Sequence, residues 1–405
     1  MGKHVDAIER VYRDQYGRVI ASLVRRFGDV DVAEEAASEA LLVALQRWPR
    51  DGVPPNPAGW LITVAANKAI DLIRRESQRT SKHLAANMIR DEPAHEATGG
   101  IADDRLRLIF TCCHPALAIE ARVALTLRLL GGLSVAEIAA AFLVSETTMA
   151  QRIHRAKKKI AAARIPYRVP AAEDLPDRVA GVLAVIYLVF NEGYLATSGV
   201  AVRDDLATEA IRLGRMLCGL LPDCPEATGL LALMLLTQAR RSSRIADGEL
   251  VPLPEQHRGA WDRALVSEGH ALVRNCLAIN RPGRYQLLAA VNAVHTDAPS
   301  AADTDWSQIA ALYRQLLVID PGPVAELNYA VAIAELDGPE VALARVEKLP
   351  RANMKRYHAF HVTRAELLRR LGRSSEARAA YDAALMLVDN PAEKAYLVRR
   401  RAQLV

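Results

Sequence analysis

SVAEIAAAFLVSETTMAQRIHRAKKKI, residues 134–160, reads as two short helices meeting at a turn, the second closing in a run of basic side chains. Ser134 and Glu137 stand three apart, the spacing at which serine and glutamate cap each other's backbone N–H at a helix start. Ser145 is placed to cap the second helix, with Glu146 at the positive end of its dipole. Along that helix Met149, Ile153, Ala156 and Ile160 recur at i, i+4, i+7 and i+11, a stripe that must be buried. Thr148, Gln151, Arg152, Arg155 and Lys159 fall on the opposite side. A capped helix, polar and cationic on one face and following a short turn, has the geometry of a major-groove recognition helix. Its first turns reach base edges while later Arg and Lys hold phosphates. The plain alternative is a helical hairpin with a solvated basic face. Lys157-Lys158-Lys159 alone does not separate the two; the caps, the stripe and the basic tail together favour DNA. Such turns often carry Gly where Leu143 stands, so a differently packed turn is expected here.

The totals fit a DNA-binding module inside a larger helical protein. The chain has 405 residues, enough for several domains, and 51% are hydrophobic, which argues against disorder. Ala, Leu and Arg dominate and aromatics are only 5%, a mixture that favours an all-α fold. Residues 1–165 hold 24 basic against 19 acidic side chains, whereas residues 166–405 hold 28 of each, so the whole excess of +5 lies in the first part. That placement hints at a polyanionic partner there. Five cysteines without framework spacing argue against a disulfide scaffold. The N-terminus has no apolar signal region, and no stretch is apolar enough to span a bilayer. A cytoplasmic protein with no membrane partner is expected.

Outward from the opening stretch, residues 5–80 read as one small helical unit. Ile8, Val11, Tyr12, Val19, Leu23 and Phe27 repeat at near-helical spacing, and Ala36, Ala40, Leu41, Val43 and Leu45 face inward on a second helix. A Pro/Gly loop, DGVPPNPAG, stops that helix; Asn56 and Pro57 then cap and open a third. Residues 81–102 lose periodicity and read as a flexible linker. Residues 103–165 form the helix-turn-helix unit. The remainder reads as helical throughout, with one part over 176–300 and another over 301–405. In the latter, YAVAIAELDGPEVALARVEKL (329–349) resembles AELLRRLGRSSEARAAYDAAL (365–385), and Leu336 and Leu371 sit 35 residues apart. That period looks like a tetratricopeptide repeat, in which stacked helix pairs bury one another's faces and offer a surface for a protein partner.

The pattern W-L-x-x-x-A-x-N-x-x-I-D-x-x-R-R from Trp60, together with G-L-S-x-x-E-I-A from Gly132 and S-x-x-T-x-x-x-R-x-x-R-A from Ser145, resembles the extracytoplasmic-function (ECF) group of bacterial RNA polymerase sigma factors over residues 5–165. The resemblance implies two small helical sigma domains, a partnership with the β′ and β subunits of core RNA polymerase and with promoter DNA, and no enzymatic activity or cofactor. It places Glu34, Glu35, Glu39, Leu41, Leu42 and Leu45 on the helix that docks on the polymerase. Trp60, Asn67, Lys68, Asp71, Arg74 and Arg75 fall in the region that engages the −10 element, with Arg79 and Lys82 tracking the melted strand. Ser145, Thr147, Thr148, Gln151, Arg152, Arg155, Lys158 and Lys159 take the −35 role. Bland readings stay open: Trp48 and Trp60 as core anchors, Glu34 and Glu35 as a solvated face.

Departures from the pattern are informative. FTCCHPAL stands where many members carry L-P-x-x-x-R. Adjacent Cys112 and Cys113 point in different directions on a helix and no second cysteine pair is near, so a buried thiol pair beside a structural His114 is expected rather than a metal site. Most of the group ends soon after the recognition helix, and the long tail resembles a lineage whose C-terminal extension modulates promoter activity. Asn191, Glu192 and Tyr194 border the apolar run before them, but without a nucleophile–base pair or phosphate loop they read as a packing corner, with Gly193 permitting a helix break. The residues leave two rivals open: a stand-alone helix-turn-helix regulator, and an enzyme or ligand-sensing module within 176–300.

Overall fold

The structure is a computed structural model that describes residues 2–79, 100–142, 144–194, 204–349, 354 and 357–404. It is helical almost throughout and divides into two compact units, Met1–Leu188 and Val189–Val405.

The first unit begins with α1 (Gly2–Phe27), α2 (Val30–Asp51) and α3 (Pro57–Arg79). Asp29 caps α2 by accepting from the N–H groups of Asp31 (2.7 Å) and Val32 (3.0 Å). Asn56 caps α3 by accepting from Gly59 N at 3.0 Å, as its place before Pro57 predicts. Ala33, Ala36, Ala37, Ala40 and Ala44 form a fully buried small-residue face on α2, so α1 and α3 pack closely against it. Val19, Ile20 and Leu23 of α1 and Leu61, Ala65 and Ala69 of α3 fill this core. The side chains of Ile8, Val11, Tyr12 and Arg79 lie outside those described, as do Lys82 and most of the expected linker; Gly100–Ala102 already belong to the next helix.

Next come α4 (Gly100–Cys112), α5 (Ile119–Leu129), α6 (Val135–Ala141), α7 (Glu146–Ala162) and α8 (Leu175–Tyr194), whose residues from Val189 onward belong to the second unit. Leu108, Ile109 and Phe110 of α4, the apolar face of α5, Ile138 of α6 and Met149 and Ile153 of α7 make a second core. Cys112 and Cys113 are buried in it; Cys113 Sγ lies 3.5 Å from Thr126 Oγ1, and burial pushes its thiol up to about 11. His114 accepts from Ala116 N through Nδ1 (3.2 Å), a turn-forming role.

The second unit is built around α10 (Pro225–Gln238), whose apolar side chains are buried all round beneath α9 (Asp204–Leu220), α11 (Arg263–Ile279) and α12 (Arg284–Asp297). Residues 241–260 depart from the expected continuous helix. Asp247 and Gly248 take positive φ (52° and 79°) and turn a two-stranded hairpin, β1 (Ile245–Ala246) with β2 (Glu249–Leu250), in the manner of an Asp-Gly turn; Pro252 and Pro254 then keep the chain out of α-helix. Gly193 does not act chiefly as a helix breaker. It sits in the last turn of α8, where a Cβ would collide with the backbone of Leu206 and Ala207, so it permits the close approach of α9.

Helices α13 (Trp306–Ile319), α14 (Pro323–Leu336), α15 (Pro339–Glu347), α16 (His358–Arg370), α17 (Ser374–Leu385) and α18 (Pro391–Ala402) complete the unit. The repeated segments form two helix pairs, α14–α15 and α16–α17. Their turns carry Gly338 (φ 93°) and Gly372 (φ 72°), a conformation that glycine adopts at no steric cost. At the end of the array Glu366 accepts from Arg369 and Arg400 and from the Tyr381 hydroxyl. Burial alone would raise the Glu366 carboxyl, but the hydrogen bonds from Arg369 and Arg400 outweigh it and hold it below its ordinary 4.5. A carboxylate lowered on folding contributes stability that is complete above its unfolded value and lost as pH falls through the folded one. Glu366→Gln will therefore cost about 1–2 kcal/mol at pH 7. In acid titrations followed by circular dichroism, the difference from wild type will shrink as the pH drops below 4.5.

Candidate nucleic-acid interface

Both helices of the opening motif form, and both caps are made. Ser134 N donates to Glu137 Oε2 (2.7 Å) and Glu137 N to Ser134 Oγ (3.1 Å), a reciprocal capping box at the start of α6. Ser145 Oγ accepts from Thr148 N (3.1 Å) at the start of α7 and lies 2.8 Å from the Thr148 hydroxyl. Met149, Ile153 and Ala156 are buried, and Ile160 is half-buried at the end of the same stripe. Ser145, Thr147, Thr148, Gln151, Arg155, Lys158 and Lys159 are exposed, and Arg152 is half-buried. Arg155 Nε donates back to Gln151 O (3.3 Å), which lays its guanidinium along the helix surface. All eight of these side chains can donate hydrogen bonds, and they lie on the side of α7 opposite the one locked in a core. That is what reading a groove requires. Leu143 lies outside the described residues.

On α3, Asn67, Asp71, Arg74 and Arg75 are exposed. Lys68 is half-buried and pairs with Glu39 at 2.9 Å, which joins one residue expected at the −10 element to one expected at the polymerase. Trp60 is half-buried and packs on the buried Trp48, ring centroids 5.3 Å apart. One edge of an aromatic pair therefore stays at the surface above a fixed base, compatible with stacking on an unpaired nucleobase.

Along α2, Glu35 is exposed, Glu39, Leu41 and Leu45 are half-buried, and Leu42 is 59% exposed. Leu42 is thus the one of these three leucines that faces solvent. Glu34 departs from the expected exposed contact: it is 7% exposed. Arg128 Nε meets its Oε1 at 2.6 Å, and Lys157 Nζ bridges its Oε2 and Asp31 Oδ1, the latter at 2.7 Å. Burial disfavours the charge on Lys157, but Glu34 and Asp31 outweigh it and hold the ammonium above the ordinary lysine value. Arg128 and Asp31 did not stand out in the sequence, and Lys157 did so only as part of the Lys157-Lys158-Lys159 run. The one signal was that Lys157 follows Ile153 by four residues and so borders the buried stripe, unlike Lys158.

Comparison with known proteins agrees with this arrangement. The sigma-70 region 2 family matches residues 11–79, the sigma-70 region 4 family matches residues 107–160, and a family of unknown function (DUF6596) matches residues 178–277. An uncharacterized protein of Rhizobium meliloti, R00370, is 45% identical over 388 residues, 94% of this chain and 92% of that protein. The ECF RNA polymerase sigma factor SigK of Mycobacterium ulcerans is 30% identical over 160 residues, 37% of this chain and 82% of that protein. The probable ECF RNA polymerase sigma factor SigI of Mycobacterium tuberculosis is 29% identical over 181 residues, 43% of this chain and 60% of that protein. No solved structure matches the chain. Among the described residues no helix is long and apolar enough to cross a membrane. With region 2 matched to the α1–α3 unit, region 4 to the capped α6–α7 motif, and a helical extension shared with a relative along nearly its whole length, the chain belongs to the ECF RNA polymerase sigma factors that carry a long C-terminal extension.

Proposed function

We propose that this sigma factor binds the β′ and β subunits of core RNA polymerase, directs the enzyme to promoters in the cytoplasm, and is modulated by its own C-terminal unit. In this reading α7 enters the major groove of the −35 element with Thr147, Thr148, Gln151, Arg152 and Arg155, while Lys158 and Lys159 hold phosphates. The exposed face of α3, with Asn67, Lys68, Asp71, Arg74, Arg75 and the edge of Trp60, takes the −10 element as it opens. Glu35, Glu39, Leu41, Leu42 and Leu45 meet the polymerase. The observation that carries the reading is the capped α7, polar and cationic where it is exposed and apolar where it is buried. The C-terminal unit, which lies in the part of the chain without excess charge and contains repeated helix pairs, has the makings of a protein-contact surface rather than a DNA-binding one.

Affinity capture of purified core polymerase by the full chain, followed by run-off transcription from promoters whose transcripts depend on this protein, tests the proposal. Stable capture and initiation that requires both proteins are expected. Promoter binding by the chain alone, with no capture of core enzyme, would replace the reading with that of a stand-alone regulator.

A further inference from the structure

In the second unit, the segment that departs from helix walls a cleft of about 520 Å³ together with α12, α13 and α14. Pro252 and Pro254 hold this segment out of α-helix, and it turns through a single 3₁₀ turn, Arg258–Ala260. That path puts Arg258 in the wall of the cleft. Its guanidinium is fixed from one side. Nη1 donates to His295 O and to Ala298 O (2.8 Å), and the group lies over the Trp261 ring, 4.8 Å from its centroid. Nε and Nη2 meet no acceptor among the described residues. These two nitrogens form an edge of the guanidinium fork that matches two anionic oxygens side by side.

The surroundings leave that edge without a counter-charge. Arg240 gives its own hydrogen bond to a neutral acceptor, Asn292 Oδ1 (2.9 Å). His295, also in the wall, is held down to about 4 by burial and by the fields of Arg240 and Arg258. Its ring is therefore neutral at pH 7 and keeps one N–H to donate. Neither ring nitrogen has a partner among the described residues. The acids in reach are engaged: Glu335 in the cleft pairs with Arg370 at 2.6 Å, and Asp303, whose field reaches Arg258, accepts from the Ser300 hydroxyl at 2.7 Å. The rest of the lining is largely apolar. Trp306 meets the His295 ring edge-on with centroids 5.4 Å apart, Ile309 and Tyr313 lie along the same helix, and Val331 is exposed on α14.

We infer that this cleft binds a small organic carboxylate with an apolar body, its two oxygens on the Nε–Nη2 edge of Arg258, the His295 N–H beside them, and its body against Trp306, Ile309 and Val331. One free guanidinium edge suits a singly charged head. A phosphate dianion would bring a second charge, which Glu335 and Asp303 oppose. The volume falls within the range of about 300–1,000 Å³ in which proteins hold small ligands among apolar walls and a few convergent polar groups. Two backbone carbonyls fix Arg258 before any ligand arrives, so little ordering remains to be done on binding. The site gives the break in helix at 252–260 a use: it sets a cation against the apolar side of α13 and α14. Binding belongs to the second unit and does not depend on how the first unit meets DNA.

Isothermal titration calorimetry of the full chain tests the site, with phenylacetate and octanoate as probes and the uncharged phenylacetamide beside them. Saturable binding of the carboxylates at one site per chain is expected, with the amide weaker by about tenfold or more. Arg258→Lys keeps the charge and loses the fork, and should weaken carboxylate binding by about tenfold. Because Arg258 also holds two carbonyls, Val331→Asp is the second variant. It changes an exposed residue, leaves the Arg258 contacts alone and puts a carboxylate into the cleft. It should weaken binding by a similar factor while the unfolding temperature stays that of wild type. No saturable heat from either carboxylate up to about 10 mM overturns the site. Equal affinity for phenylacetate and phenylacetamide, or undiminished binding in both variants, overturns it as well. Phenyl phosphate binding more tightly than phenylacetate would overturn the singly charged head.

Discussion

A chain carrying Arg152→Ala with Arg155→Ala will bind a −35 duplex at least a hundredfold more weakly than wild type, with its fold intact. Arg155 is exposed and Arg152 half-buried, whereas the side chains that anchor α7, Met149, Ile153 and Ala156, are untouched. A well-placed arginine contact to a base edge is worth about 1–3 kcal/mol, and each tenfold in affinity corresponds to about 1.4 kcal/mol, so two mid-range losses of about 2 kcal/mol each exceed a hundredfold. Salt dependence separates the two ways in which the arginines can act. If both neutralise phosphates, the slope of log K against log salt falls by about 1.8 and sequence preference survives. If they read bases, the slope changes less and the preference between the true element and a mutated one collapses. Electrophoretic mobility shifts at three salt concentrations, on matched and mismatched duplexes, give both numbers. Unchanged affinity would remove α7 as the reading helix.

Much of this helix is legible in the sequence. Its caps depend on residues three apart, and its stripe on a period of 3.6, so both are local and leave a trace in the sequence. The repeat in the second unit was legible for the same reason: the glycines at 338 and 372 mark turns between helix pairs of similar pattern. Contacts between distant segments leave no such trace. Glu34 meets a side chain 94 residues away and Asp31 one 126 residues away, and nothing periodic connects them. Glu34 therefore read as a surface acid, although its position between Ala33 and Ala36 on a small-residue face already put it at the margin of a core. The hairpin at 245–250 had a local signal in Asp247-Gly248 that the surrounding helical composition outweighed. Glycines inside helices carried the least information, because a helix break and a close approach look alike in sequence.

Gly229 is the position where that distinction has the largest consequence. It lies inside α10, where glycine costs about 1 kcal/mol relative to alanine, and its φ is an ordinary one, so backbone freedom does not explain it. Space does: a Cβ at 229 would stand 2.7 Å from Gln286 N and 2.8 Å from Gln286 Cα, the backbone of α12. The first turn of α12 cannot retreat cheaply. Glu226 accepts from Tyr285 N (3.1 Å) and Gln286 N (3.2 Å), and the Gln286 amide donates to Glu226 and to Arg281 O. Separating α10 from α12 would break that cap and open the most deeply buried helix of the unit to a gap. Gly229→Ala is therefore expected to destabilise the second unit by about 2–3 kcal/mol, and Gly229→Val by about 4 kcal/mol or more, enough to unfold it at ordinary temperature. Gly219 is the internal control. It lies near the end of α9 with open space around its Cα, so Gly219→Ala should raise stability by about 0.5–1 kcal/mol through helix propensity alone. Thermal unfolding of the three variants beside wild type reads the difference in sign directly. Destabilisation by Gly219→Ala equal to that by Gly229→Ala would mean that the close approach of α10 and α12 does not govern the stability of this unit.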